Sequence, residues 1–292
     1  AHQVDAVIAG NALGAGGNPA RMAALYAGIP TSCRALSVDT QCCAGLDAVA
    51  LGASLIQAGQ AHVVIAGGVE AWSRSPIRMH RPLHADEVAV AYERPAFSPF
   101  PEQDPDMLMA ASDYAKQHGL SRAKQDAYAI DSHARAVSHM TDVAQEIVPI
   151  MGVSSDTQPR GLQAERVVRM PEAAPHMSVL AVSAQADGAA FVLLLSEKAA
   201  QQYQTLCTLT WLAHASVGCA PQTPMLAATE ATREVLKAAH LTDIQSVSHI
   251  ELHDAFAAQG LDFCQTWGIA PERINRKGGG LARGHPIGAS GA

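Results

Sequence analysis

Short apolar runs closed by glycine alternate with helical stretches through the first 68 residues, and that alternation leaves little choice of fold class. Residues 4–10 (VDAVIAG) read as a buried strand. Asn18-Pro19 supplies an N-cap and first helical turn for ARMAALYAG, which Gly28 stops. Residues 35–39 predict a second strand, 45–58 a second helix stopped by Gly59, and 62–66 a third strand ended by Gly67-Gly68. Strands separated by helices must be joined by crossovers, so an α/β fold with a largely parallel sheet is expected. Hydrophobic residues make up 48% of the chain but aromatics only 4%. Such small-residue bias suits helices packed closely on a sheet better than an all-β sandwich.

From Trp72 the character changes. Residues 73–178 carry recurrent prolines, arginines and histidines, with helical stretches at 107–118 and at 121–139, the latter capped by Ser121. This reads as a long insertion that covers something, because extended irregular stretches inside a compact domain are usually functional. The regular pattern resumes at Asp187-Gly188 with the apolar run AAFVLLLS. Strands at 205–213 and 248–252 and helices at 227–239 and 255–267 follow. The resulting division is an N-terminal half (1–72 plus 179–200), an insertion (73–178) and a C-terminal half (201–292).

Several function classes are excluded by charge and hydropathy. Net charge is −7 with no long block of one sign, unlike a nucleic-acid footprint. No apolar run is long enough to span a bilayer, and the opening residues do not form a signal peptide. Six cysteines occur, at 33, 42, 43, 207, 219 and 264, without Cys-x-x-Cys or a secreted disulfide spacing. Free thiols in a reducing, cytoplasmic setting are expected.

Three segments could carry chemistry. In Val38-Asp39-Thr40-Gln41-Cys42-Cys43-Ala44-Gly45 a strand ends, the chain turns and a helix begins near Cys42. A thiol there feels the positive end of the helix dipole, which favours the nucleophilic thiolate. The same pair also reads as small buried residues. At the second segment, Glu251-Leu252-His253-Asp254-Ala255-Phe256, His253 is expected at the C-terminal end of a strand and Asp254 as a helix cap. A solvent-facing histidine beside an ordinary cap is the plainer alternative. The third, GGGLARGHPIGASG around His285, has glycines on both sides that let backbone approach a ligand closely. His285 there can bind a developing oxyanion or activate a thiol. It matches neither common phosphate-binding glycine pattern. A metal site is not expected, since His253 and His285 lack helical ligand spacing and no third ligand is marked.

Taken in order, these segments resemble the thiolases. QCCAG resembles the family's nucleophile turn, HDAF its Asn/His-Glu/Asp-Ala-Phe motif, and GHPIGASGA its glycine-histidine-proline motif. Likeness also runs through IQAGQAHVVIAGGVE, KQHGLSRAKQDAYAIDSHARA and the Asp187-Gly188-Ala189-Ala190 turn, so it covers most of the chain. The resemblance implies a thiolase-like α/β fold of two related βαβ-type halves with mixed central sheets and a loop-domain insertion. It implies an acyltransferase that cleaves 3-ketoacyl-CoA by thiolysis, reversibly, through an acyl group on Cys42. His285 would activate Cys42, and with His253 would stabilise thioester oxyanions. Coenzyme A would be a co-substrate, with no permanently bound cofactor. Ser183 falls at the family's pantetheine-touching serine, and Arg160 near its arginine for the CoA nucleotide. A homodimer or homotetramer is implied, with a β-oxidation complex as one setting.

The sequence departs from the family's pattern in places. Measured against that pattern it begins near the second strand and ends just after the histidine motif, ahead of the family's cysteine-glycine segment. It is therefore expected to be part of a longer protein, unable by itself to complete turnover. Cys43 replaces the small residue usual after the nucleophile, and the region before Asp187 is shorter and less glycine-rich. His253 in place of asparagine, with Arg283 before the GHP motif, leans toward the degradative branch. The alternatives are a biosynthetic acetyl-CoA C-acetyltransferase and a non-catalytic thiolase-like protein that binds acyl-CoA or lipid.

Overall fold

The computed structural model describes residues 3–203 and 209–292. The chain divides into two compact units, one made of Ala1–Ala96, Ala186–Leu212 and Pro286–Ala292, the other of Phe97–Gln185 and Ala213–His285.

The first unit is built on a four-stranded sheet. Strands β1 (Ala6–Gly10), β2 (Arg34–Val38) and β3 (Val63–Glu70) are parallel, and β4 (Gly188–Leu195) lies antiparallel to β3, giving the order β2-β1-β3-β4. Helix α1 (Pro19–Tyr26) begins where Asn18 accepts a hydrogen bond from the Arg21 amide. Helix α2 (Ala44–Gln57) follows a single 3₁₀ turn at Gln41–Cys43. Alternation along β1 sends Ala6 and Ile8 toward Ala48 and Val49 of α2, and Val7 and Ala9 toward Ala20 and Ala24 of α1. With helices on both faces the central strands read as continuous apolar runs.

One expected boundary shifts. β3 does not stop at Gly67-Gly68 but runs on to Glu70, because both glycines are paired in the ladder, Gly67 with Phe191 and Gly68 with Ala190. A Cβ at Gly67 would sit 2.0 Å from the Ala190 carbonyl oxygen. Glycine here serves close backbone approach inside a strand rather than ending it.

The second unit has a helical core. Helices α3 (Met107–Gln117) and α4 (Arg122–Ser138) carry the caps Asp106 and Ser121, and α5 (Ala227–Ala238) and α6 (Ala257–Trp267) complete the set of longer helices described. Tyr128, Met177, Phe256, Phe263 and Ile274 are among the side chains of its buried cluster. Within 149–178 the irregular reading is interrupted by one short hairpin, Glu172–Ala174 with Met177–Ser178, and a turn of helix at Ala164–Val167.

Two predicted strands differ. The strand at 205–213 falls largely on residues 204–208, outside the described residues, and 209–213 is not strand. Residues 248–252 form no ladder among the described residues, only a bridge between Ile250 and Ile274. Asn275, buried in the left-handed region at φ 49°, replaces a strand partner: its side chain accepts from the Leu252 amide at 2.7 Å and donates to the Leu252 carbonyl at 2.8 Å. Backbone polar groups that lack a ladder need such a substitute when buried.

Candidate active site

Cys42 sits in the 3₁₀ turn that enters α2. The turn is held by two acids: the Asp39 carboxylate accepts from the Gln41 amide at 3.0 Å, and Thr40 donates to Asp47 in the first turn of α2 at 2.6 Å. Gln41 adopts φ 56°, a left-handed conformation that costs a side-chain-bearing residue about 1 kcal/mol. A strained residue immediately before a nucleophile candidate is the mark of a tight elbow. Gly10 and Gly45 are required beneath it. A Cβ on Gly10 would lie 2.4 Å from both the Ala44 backbone carbon and the Gly288 carbonyl oxygen, and one on Gly45 2.6 Å from the Ser290 carbonyl oxygen.

The helix dipole does not make Cys42 a resting thiolate, contrary to the expectation from its position. Burial pushes the Cys42 thiol up to about 12, with Cys43 adding to the rise. Loss of hydration outweighs the favourable end of the helix, so Cys42 could act as a nucleophile only if a base took its proton.

His253 and His285 belong to the second unit, and their imidazole centroids lie 4.1 Å apart. Burial holds His253 down to about 4 and, with the neighbouring His253, holds His285 down to about 3. Both rings are therefore neutral near pH 7, each with one donor and one acceptor nitrogen. His253 Nε2 is buried with no hydrogen-bond partner among the described residues. A desolvated nitrogen of this kind suits a ligand oxygen.

Backbone pairing brings Ser183 to the same place. The Ser183 amide donates to the Ala255 carbonyl at 2.9 Å, Val182 bridges Phe256, and the His285 amide donates to the Ala184 carbonyl at 2.7 Å. Residues 182–185 thus run between the two histidine segments. Arg160 is exposed, with its guanidinium on the Gln158 carbonyl at 3.0 Å and its charge felt by the buried His133. Among the described residues, no hydrogen bond gathers it with the two rings. Arg283 ties the histidine loop to Asp156, four residues before Arg160.

Asp254 is not the helix cap the sequence suggests. α6 begins at Ala257 with Phe256 as cap, and Asp254 is fully buried. Its carboxylate accepts from the Tyr128 hydroxyl at 2.9 Å and, more weakly, from the Leu281 amide at 3.4 Å. Burial pushes Asp254 up to about 6, with the Tyr128 and backbone donors pulling it back. Gly279 makes room for this carboxylate: a Cβ there would be 2.4 Å from Asp254 Oδ1. Of the residues that hold this arrangement, Asn275 lies in no motif, and Tyr128 lies in the KQHGLSRAKQDAYAIDSHARA stretch without being singled out there.

A thiolase N-terminal domain model matches residues 1–198 and a thiolase C-terminal domain model matches residues 205–292. The chain belongs to the thiolase family. It is similar to a putative acetyl-CoA C-acetyltransferase, YhfS, of Bacillus subtilis (38% identity, covering 99% of this chain and 78% of the relative). It is likewise similar to a beta-ketoadipyl-CoA thiolase of Acinetobacter baylyi (36%, covering 99% and 79%). Among solved structures it matches the Acat5 thiolase of Ascaris suum in complex with coenzyme A, with TM-score 0.86, 27% identity, and 99% and 79% of the two chains covered. It also matches the acetyl-CoA acetyltransferase of Bacillus anthracis, with TM-score 0.86, 27% identity, and 99% and 78% covered. The thiolase fold and an acyltransferase activity, thiolytic acyl transfer through a cysteine, follow from this membership. The thiolase reaction takes coenzyme A as co-substrate rather than as a resident cofactor. No described helix of this thiolase is long and apolar enough to cross a membrane.

Proposed function

We propose that this thiolase is a degradative 3-ketoacyl-CoA thiolase in which Cys42 carries the acyl group, His285 is its base and His253 binds the oxygen that becomes negative. The observation that supports this most is the close pair of neutral, desolvated histidines, His253 and His285. A neutral imidazole can take a thiol proton, and a neutral N–H can stabilise an oxyanion without first being discharged.

In this reading His285 removes the Cys42 proton as Sγ attacks the ketone carbonyl of 3-ketoacyl-CoA. The bond between the ketone carbon and the adjacent methylene breaks. The enolate of acetyl-CoA leaves and takes up a proton, while the acyl group stays on Cys42 as a thioester. Coenzyme A then attacks that thioester, its thiol losing a proton, and acyl-CoA departs as Cys42 is regenerated. Run backward, the same steps join two acyl-CoA thioesters.

Ser183, held between the histidine segments, contacts the pantetheine in this assignment, and Arg160 serves the CoA phosphates. Residues 73–178 act as the domain that covers the coenzyme. His253 in place of asparagine and Arg283 before the GHP motif favour β-oxidation as the setting. The thiol-rich, disulfide-free reading supports a cytoplasmic location. Exposed Met22 and Tyr26 of α1 and Leu193 of β4 support a homodimer or homotetramer.

Intact mass after incubation with a series of acyl- and 3-ketoacyl-CoA thioesters tests the proposal. An acyl adduct mapping to Cys42, formed faster from longer 3-ketoacyl chains, is expected. An adduct elsewhere, or none, refutes the nucleophile. Exclusive use of acetyl units points to the acetyl-CoA C-acetyltransferase reading, which the name of the Bacillus subtilis relative favours.

A further inference from the structure

Glu70 closes an otherwise apolar strand, is buried, and takes part in none of the chemical steps of thiolysis. Its two carboxylate oxygens are fully occupied. Oε1 accepts from Asn11 Nδ2 at 2.9 Å and from the Leu13 amide at 3.1 Å, and Oε2 accepts from the Ala12 amide at 2.9 Å and from the Gly288 amide at 3.1 Å. Four amide donors on one carboxylate is the arrangement that stabilises a buried negative charge without a salt bridge. Three of them come from the turn that follows β1. The fourth, 218 residues away in sequence, is the third residue after His285.

That fourth contact fixes the exit of the histidine loop. Pro286–Ala292 belongs to the first unit, and its backbone is seated on glycines of the strand ends and of α2. The Gly288 carbonyl oxygen would be 2.2 Å from a Cβ on Gly68 and 2.4 Å from one on Gly10. Gly288 in turn leaves no room for a side chain, since a Cβ there would lie 2.7 Å from Glu70 Oε2 and 2.8 Å from the Asn11 Cα. So the elbow that carries Cys42 and the segment that continues from His285 are joined through glycine-tight backbone contacts, and Glu70 anchors them with a buried charge.

We propose that Glu70 is a positioning residue for thiolysis: its carboxylate pins Gly288, and so the loop leaving His285, to the ends of β1 and β3. The inference rests on the assignment of Cys42 and His285 as nucleophile and base. It predicts that charge and acceptor count both matter. Gln at this position has the same shape, but its amide nitrogen would face two N–H donors, and one pair of bonds would be lost.

The test uses the whole protein and three readouts: the rate at which acetoacetyl-CoA loads an acetyl group onto Cys42, the pH dependence of Cys42 alkylation by iodoacetamide, and the melting temperature. Glu70→Gln is expected to slow loading roughly ten- to a hundredfold, the penalty of an ångström-scale misplacement, and to move the alkylation profile to higher pH. Gly288→Ala breaks the same contact from the other side, and it carries the test if the Gln variant does not fold. Asp5→Asn is the matched control. Asp5 Oδ2 accepts from the His62 amide at 2.7 Å and the Val63 amide at 3.0 Å, at the opposite ends of the same two strands. It should lower the melting temperature and leave loading and profile as in the wild type. A folded Glu70→Gln or Gly288→Ala protein with wild-type loading and profile overturns the proposal, as does an Asp5→Asn protein slowed to the same degree. Wild-type protein that takes no acyl group on Cys42 is a different result: it removes the nucleophile assignment, and this inference with it.

Discussion

The imidazole planes of His253 and His285 are tilted by 40° to one another, with centroids 4.1 Å apart. Two positive charges could not share that space, and burial already disfavours even one. The pair is therefore neutral at physiological pH, which is the state a base and an oxyanion donor both require. Nothing in the order of residues 253 and 285 states this; it comes from the fold that brings the two rings together.

The first prediction concerns stability and pH. His133, His253 and His285 are held by burial below their ordinary value, to about 4, 4 and 3. The unfolded chain therefore binds more protons at these rings than the native one as pH falls from about 6.5. Stability they contribute is complete above that pH and is lost progressively toward pH 4. Asp254 acts oppositely, since its raised value means that the native state keeps a proton between about 3.8 and 6. Glu251, also raised by burial, acts as Asp254 does, and three groups against two leaves a net loss on acidification, about 1.4 kcal/mol per pH unit for each excess proton. Urea midpoints at pH 7, 6 and 5 should fall in that order; a midpoint that rises toward pH 5 contradicts it.

Cys42→Ser should abolish thiolysis, by roughly a thousandfold or more, while leaving the fold intact. The hydroxyl is a far weaker nucleophile at neutral pH and keeps nearly the same shape. Circular dichroism and steady-state thiolysis check both halves, and wild-type turnover by the serine protein would remove Cys42 from the mechanism.

His285→Ala separates activation from binding. Loss of the base lowers kcat with little change in KM. It should also leave Cys42 slower to alkylate below its own high range, because the thiol is pushed up to about 12 by burial. A variant that raised KM for CoA and kept kcat would make His285 a binding residue only.

Tyr128→Phe removes one donor from a buried carboxylate. Asp254 would lose the 2.9 Å bond that favours its ionised form, so its value should rise further above about 6. The cost to stability should be about 1–3 kcal/mol near pH 7 and less near pH 5, where the acid is protonated. Denaturant melts at the two pH values read this difference, and an equal loss at both would show that only packing had changed.

Gly279→Ala should be worse tolerated than Gly119→Ala. A Cβ at 279 would meet Asp254 Oδ1 at 2.4 Å and Asn275 Nδ2 at 2.3 Å, whereas at 119 it would meet open space and only the strain of φ 65°. The first should cost both stability and acyl loading, the second stability alone; melting temperature with Cys42 loading rates tests the contrast.

Much of the fold is readable locally. Asn18 and Ser121 cap their helices as expected, because capping depends on residues two or three apart. The elbow before α2 is readable too, since a strand, a turn and a helix succeed one another within a few residues. Gly67-Gly68 misleads because a glycine that ends a strand and one that admits a neighbouring backbone look alike until the neighbour, Ala190, is in place. Residues 248–252 have strand composition, yet Asn275 supplies the partner that a ladder would have supplied. Asp254 misleads for a similar reason: an acid at a helix start usually caps, and only Tyr128, 126 residues away, draws it into the core.

What the sequence determines by itself is the set of reactive groups and the local turns that present them: a cysteine at a helix entrance, a histidine after a short apolar run and a histidine in a glycine-bounded turn. Those depend on short-range geometry, which the order of residues encodes directly. Tertiary structure alone decides their state. Burial makes the Cys42 thiol a poor thiolate and the two imidazoles neutral, and Glu70 reaches Gly288 across 218 residues to hold the loop. Hydration loss and long-range hydrogen bonds exist only once distant segments have packed, so no local pattern could have announced them.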